Sequence, residues 1–275
     1  LRQNLTCFLQ KLYINYPFNM WSFSGRIAAK MNNKHVDVEC VSEEMKQSKE
    51  HKAINLTMKY PFLVTPEGNL NESYAIAKYF AHGHATLLGS SNEERAKVDQ
   101  WCMWGYTTFV PPMFKTAMAI HGWAEVAQKD YTEAQNAVKA HAKDLNANLK
   151  GKKWIVGDNV TLADLVLATQ FIIPMQTLLD GGFRKAMPDF NAWFERVISL
   201  PEFVAVVGHI KACQKGIKPQ TKAEPKKEVK KAVAAPKPKA DDGEDAPAKK
   251  PKSALETLPP TEFDLFNFKT FMVNV

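Results

Sequence analysis

Hydrophobic and polar positions alternate near the start of this chain and then settle into a helical period. The run Leu12-Tyr13-Ile14-Asn15-Tyr16, closed by Pro17, predicts a short strand. From Ser22 to Met31 the small and apolar residues Ile27, Ala28, Ala29 and Met31 predict a helix, with Ser22 as its N-cap. Gly25 weakens that helix by about 1 kcal/mol relative to Ala. His35 to Val41 alternates, with Val36, Val38 and Cys40 on one face, and predicts a second strand. Two strands joined by a helix make a βαβ unit with a parallel pair. Tyr60 to Thr65, the turn Pro66-Glu67-Gly68-Asn69 and Leu70-Asn71 then predict a β-hairpin. Glu72 to Phe80 follows as a helix with Ile76, Ala77 and Phe80 facing inward.

From residue 91 onward the strand signals stop. Glu93 to Phe109 has a helical pattern, with Ala96, Trp101 and Trp104 available for burial. Thr132 to Leu149 is a second long helix with Ala134, Val138, His141, Leu145 and Leu149 near helical spacing. Two more are expected at 162–178 and 190–200, and a short one after Pro201. The order βαβ, then ββα, is that of the thioredoxin fold. A small α/β half followed by an all-helical half is an α+β arrangement in two domains, expected at 1–88 and 89–213.

Residues 214–258 break the pattern. They hold twelve Lys, seven Asp or Glu, six Pro and no aromatic residue. Such a stretch has too little apolar surface to offset the entropy of ordering it, so it is expected to be a disordered Lys/Pro/Ala-rich linker. Five of the chain's seven net positive charges belong to it. The basic pI therefore does not signal a basic groove on the body, and no clustered Lys/Arg pattern of a nucleic-acid-binding fold is legible there. The linker itself retains the capacity for weak, salt-sensitive contacts with RNA or the ribosome.

Cys7, Cys40, Cys102 and Cys213 have neither metal-ligand nor redox-pair spacing, as expected of isolated thiols in a reducing compartment. No metal site is expected. The apolar window 160–179 carries Asp164, Gln170, Pro174 and Gln176, which predicts a buried core helix rather than a membrane span. The first residues lack a Met and a signal-cleavage pattern, so a processed or truncated start is expected. No P-loop pattern occurs, which argues against binding of GTP by this chain.

Two motifs carry more specific information. Tyr60-Pro61, followed by Leu70-Asn71-Glu72-Ser73-Tyr74-Ala75-Ile76, resembles the glutathione S-transferase family. The thioredoxin-like domain of that family has a cis proline before the hairpin and a Glu/Gln-Ser pair opening the next helix. The resemblance implies that Tyr60 and Pro61 present backbone to the cysteinyl part of glutathione. It implies also that Glu72 and Ser73 hold the γ-glutamyl amine and carboxylate. The physics agrees, since a helix N-terminus attracts a carboxylate and Glu complements an ammonium. The competing reading is that Glu72 and Ser73 only cap their helix. The second motif is Val160-Thr161-Leu162-Ala163-Asp164-Leu165. Thr161 and Asp164 form a capping box, with Val160 and Leu165 placed as its staple. A similar Ser/Thr-x-x-Asp element opens a central helix in glutathione transferases, which makes Asp164 a folding residue rather than a catalytic acid.

The order of parts narrows the resemblance. Tyr16-Pro17-Phe18-Asn19 with Ile27-Ala28-Ala29, the Lys59-Tyr60-Pro61-Phe62 step, the linker, and Leu258-Pro259-Pro260-Thr261-Glu262-Phe263 resemble the gamma-subunit family of eukaryotic translation elongation factor 1. Residues 259–275 resemble the start of that family's C-terminal domain, so either the chain is truncated at this end or this segment docks on a partner. The family implies a cytoplasmic scaffold subunit of the elongation factor 1B complex. It would dock and anchor the nucleotide-exchange subunit that recharges elongation factor 1A, touching 1A only indirectly. A homodimer stays open, and no cofactor is required.

The alternative is a working glutathione (or related thiol) S-transferase with an anchoring tail. That chemistry needs a hydroxyl near the end of the first strand, because a hydrogen bond to the thiolate lowers the thiol pKa. Tyr16, Asn19, Ser22 and Ser24 are the candidates, and Tyr16 is the best placed. Its competing reading is a strand-end aromatic packed on the helical domain. Trp21 stands where many family members carry a basic residue. A hydroxyl aimed at the space beside Pro61 favours the enzyme; a pocket filled by Trp21 or Phe18 favours the scaffold.

Overall fold

The computed structural model describes residues 10–221. Cys7, the linker beyond 221 and residues 259–275 lie outside them. Among the described residues the first half contains four strands, β1 (Lys11–Ile14), β2 (Asp37–Cys40), β3 (Phe62–Thr65) and β4 (Gly68–Leu70), in the order β2-β1-β3-β4. β1 and β2 are parallel, with Leu12 opposite Val38. β3 runs antiparallel to both neighbours, with Leu63 beside Leu12 and Leu70. This is the βαβ-ββα order that the hydrophobic pattern predicts.

The sheet is covered by α1 (Phe23–Met31) and α4 (Ser73–Ala81). Leu12 and Leu63 are buried with Ile27, Ala28, Ile76, Ala77 and Phe80. Gly25 explains itself here. A Cβ at that position would lie 3.3 Å from Ile76 Cγ2, so the missing side chain lets the two helices approach closely. In this half two short helices are absent from the sequence expectation, α2 (Glu43–Gln47) and α3 (Lys49–Ile54). Each starts on a serine: Ser42 Oγ accepts from Met45 N–H and Ser48 Oγ from His51 N–H, both at 3.1 Å.

The helical half is built from α5 (Asn92–Trp104), α6 (Val110–His121), α7 (Gln128–Leu149), α8 (Leu162–Thr177), α9 (Gly181–Lys185), α10 (Pro188–Ile198) and α11 (Pro201–Val207). Fourteen of the sixteen residues of α8 are buried, so it is a central post, packed against α1, α4, α5, α6 and α10. No described helix is long and apolar enough to cross a membrane.

Three expectations are corrected. The helix expected at 93–109 does not stop there. It passes through a π-helical turn, Gly105–Phe109, and continues as α6, with Pro111 and Pro112 in the first turn where a missing N–H is tolerated. Ala96 is exposed; Val98 and Cys102 are the buried pair of α5, while Trp101 and Trp104 sit half-buried with ring centroids 5.4 Å apart. Residues 214–221, expected to belong to the linker, are instead placed on the body. Cys213 N–H donates to Met175 O at 2.9 Å, Ile217 N–H to Thr177 O at 2.7 Å and Gln220 N–H to Ala119 O at 2.8 Å. Unpaired carbonyls at the end of α8 and in the last turn of α6 thereby hold residues 213–220 against the helical domain. Composition alone could not show that.

Candidate functional site

The site forms where the β1–α1 loop, the start of β3 and the start of α4 meet the helical domain. The Tyr60–Pro61 peptide is cis, as the family resemblance implied. With Lys59 it forms one wall of a cavity of about 590 Å³. Glu72 and Ser73 form the next wall, and Trp21 closes the side nearest α1. The helical domain supplies Met103, Tyr106 and Val110.

Glu72 has φ 69° and ψ 121°, a positive-φ conformation that non-glycine residues rarely adopt. It stands at the N-cap of α4, yet its side chain makes no capping hydrogen bond. The reading of Glu72 as a plain side-chain cap is therefore corrected. The helix start, with Ser73 as its first residue, opens on the cavity and offers N–H groups that lack an intrahelical acceptor. That geometry suits a carboxylate beside an ammonium-binding Glu.

Around this end the aromatic groups are held neutral. Burial raises the Tyr106 phenol far above its ordinary pKa, with Ser24 and Ser73 as hydrogen-bonding neighbours. Burial raises Tyr74 too, and its hydroxyl donates to Asp99 Oδ1. Burial works against the charge on Asp99, but Lys78 Nζ at 2.8 Å and the Tyr74 hydroxyl outweigh it and hold the carboxyl below its usual range. This Tyr74–Asp99–Lys78 cluster joins α4 of the first domain to α5 of the second.

The four residues proposed for a glutathione site, Tyr60, Pro61, Glu72 and Ser73, share one cavity. Tyr16 does not join them. It is 42 % exposed and is not among the residues that line the cavity, and that exposure departs from the packed strand-end aromatic of the other reading. In the β1–α1 loop Asn19 is buried and its Oδ1 accepts from Ser22 N–H at 3.1 Å. Ser22 stands at the N-cap of α1 without capping it; its hydroxyl donates to Asn19 O at 2.7 Å. Phe18 packs edge-on against Phe23 at 4.8 Å and leaves the cavity to Trp21. Tyr106, Met103 and Val110 escaped the sequence reading, since nothing in their spacing separates a cavity wall from helix packing. The Tyr60 phenol is engaged elsewhere, 2.8 Å from His51 Nε2.

Thr161 and Asp164 form the expected capping box at the start of α8. Asp164 Oδ2 accepts from Thr161 N–H at 2.8 Å and from Thr161 Oγ1 at 3.1 Å. Its Oδ1 accepts from Ile155 N–H at 3.0 Å and from Trp193 Nε1 at 2.8 Å. Burial raises the Asp164 pKa, and these four donors oppose the shift. Among the described residues no group of three or more His, Cys, Asp or Glu is placed to hold a metal ion.

Comparison with known proteins is consistent with this geometry. The model of the glutathione S-transferase N-terminal domain matches residues 11–82, and that of the C-terminal domain matches 99–201. A probable elongation factor 1-gamma of Arabidopsis thaliana is 30% identical over 227 residues, spanning 78% of this chain and 54% of that protein. The elongation factor 1-gamma of Artemia salina is 29% identical over 96% of this chain and 67% of its own length. That of Homo sapiens is 30% identical over 92% and 65%. The chain thus spans between half and two thirds of the length of these relatives. Among solved structures, the glutathione S-transferase-like domain of Saccharomyces cerevisiae elongation factor 1-gamma superposes with TM-score 0.67 at 23% identity, over 77% of this chain and 98% of that one. A glutathione S-transferase I bound with lactoylglutathione gives 0.65 at 22% identity, over 72% and 98%.

Proposed function

We propose, for a chain that belongs to the elongation factor 1-gamma family and carries both glutathione S-transferase domains, a structural role in translation elongation. The body docks and anchors the guanine-nucleotide-exchange subunit of the elongation factor 1B complex, which recharges elongation factor 1A in the cytoplasm. The chain itself exchanges no nucleotide. One observation carries the choice of scaffold over enzyme: Trp21 lines the cavity on the α1 side, while Tyr16 lies outside it and the Ser22 hydroxyl is bonded back to Asn19 O. The test mixes the full chain with the exchange subunit and follows the pair by size-exclusion chromatography and calorimetry. A stable stoichiometric complex supports the proposal, and failure to associate overturns it.

A second reading keeps the cavity for a thiol ligand. Glu72, Ser73 and the Tyr60–Pro61 wall meet in a space of about 590 Å³, well within the size of a small-molecule site. Glutathione or a related thiol binds there without rapid turnover, because the groups aimed at its γ-glutamyl end hold ground and transition states alike. Calorimetry with glutathione, beside a conjugation assay with an aryl halide, separates binding from catalysis. Binding with no conjugation fits both proposals. Conjugation at the rate of a working transferase replaces the scaffold reading with the enzyme.

A further inference from the structure

A second pocket, of about 280 Å³, lies between α1, β2 and α11. Its walls are small and apolar: Ala29, Val36, Val38, Ala205 and Val206. Its polar groups are Arg26, Lys30, Lys34 and His35, and no carboxylate lines it. The nearby acidic residues of β2 are engaged elsewhere, since Lys11 Nζ lies 2.7 Å from Glu39 and 4.0 Å from Asp37.

Arg26 is the unusual member. It is half-buried on α1, and burial lowers its pKa. Among the described residues its guanidinium has no carboxylate or carbonyl partner, only the Phe23 ring 5.9 Å away. A partly dry guanidinium normally sits against an anion, because the loss of hydration must be offset. Lys34 is fixed beside it. Its ammonium donates to Tyr79 O at 3.1 Å and His82 O at 2.8 Å, which leaves one of its three N–H donors unused. Glu67 acts on Lys34 but does not line the pocket. Lys30 is exposed, at the last turn of α1, and free to swing.

We propose that this pocket binds a soluble phosphate monoester, with the phosphate on Arg26 and Lys30 and a small apolar body against Val36, Val38 and Val206. A dianion fits better than a carboxylate because several cations converge and none is neutralised within the pocket. A guanidinium also meets two phosphate oxygens at once. The volume suits one small group and excludes a folded element of a partner.

The test uses the full chain and calorimetric titration with phenyl phosphate, with benzoate as the singly charged counterpart of the same body. Saturable binding of phenyl phosphate, tighter than benzoate, is expected. Arg26→Gln should weaken it about tenfold or more, and Lys30→Gln about two- to fivefold. Lys30 is exposed, so its variant still reports if Arg26→Gln fails to fold. Absence of saturable binding overturns the proposal, as does equal affinity for benzoate. Unchanged affinity in both variants also overturns it, by moving the phosphate to the lysine-rich stretch after residue 221.

Discussion

Single residues divide here into those that hold the fold and those that face the cavity. Asp164 belongs to the first group. Its two oxygens take four donors from three segments of the chain, so truncation strands Ile155 N–H, Thr161 N–H and Trp193 Nε1 in a dry interior. Asp164→Ala should therefore cost about 2–4 kcal/mol of stability, read from the urea midpoint. A loss below 0.5 kcal/mol (about the error of the method) would show that water replaces the carboxylate. Glu72 and Tyr16 test the second group. If glutathione binds, Glu72→Ala should weaken it about tenfold, while Tyr16→Phe should leave affinity and any turnover unchanged. Abolished turnover in Tyr16→Phe would bring the β1–α1 loop back into the site. At this scale the sequence was informative wherever a motif has a local cause. The Thr161–Asp164 box and the Glu72-Ser73 pair could be read because they are set by adjacent residues. Tyr106 and Met103 could not, because their places depend on how one domain meets the other.

Among the elements, the contact between α4 and α5 is sensitive to acid. Asp99 is held below its usual range by Lys78 and Tyr74, so its folded pKa is depressed. A depressed carboxyl contributes stability above its unfolded pKa, about 3.9, and loses that contribution as pH falls through the folded value. Unfolding midpoints should thus fall more steeply below about pH 4 in the wild type than in Asp99→Asn. Parallel profiles would mean that the cluster does not join the domains in solution. The strap at 213–220 makes a second element-scale prediction. In hydrogen exchange the amides of Cys213, Ile217 and Gln220 should be protected, since each has a backbone acceptor. Exchange of all three at the rate of a free peptide would return the linker boundary to 214. The strand order and the long helices were legible, because their apolar period is strong. The strap was not, because its hold is backbone hydrogen bonding to α6 and α8, which leaves no mark on composition. The continuation into α6 has a different cause: Pro111 and Pro112 stand in its first turn, where a missing N–H is tolerated.

At the scale of the whole molecule, the described body has a thioredoxin-like domain joined to a helical domain around α8, and the scaffold proposal places partner binding there. The segments beyond it would then act by local concentration and not by contact. The measurement that bears most directly on this is calorimetric titration of the exchange subunit into the full chain and into a chain ending at Thr221. That cut keeps the strap that a cut at 213 would remove. The account predicts affinities within about threefold of each other. Loss of binding on removal of residues 222–275, with the thermal unfolding of the body unchanged, would contradict it and place the docking site outside the transferase-like body.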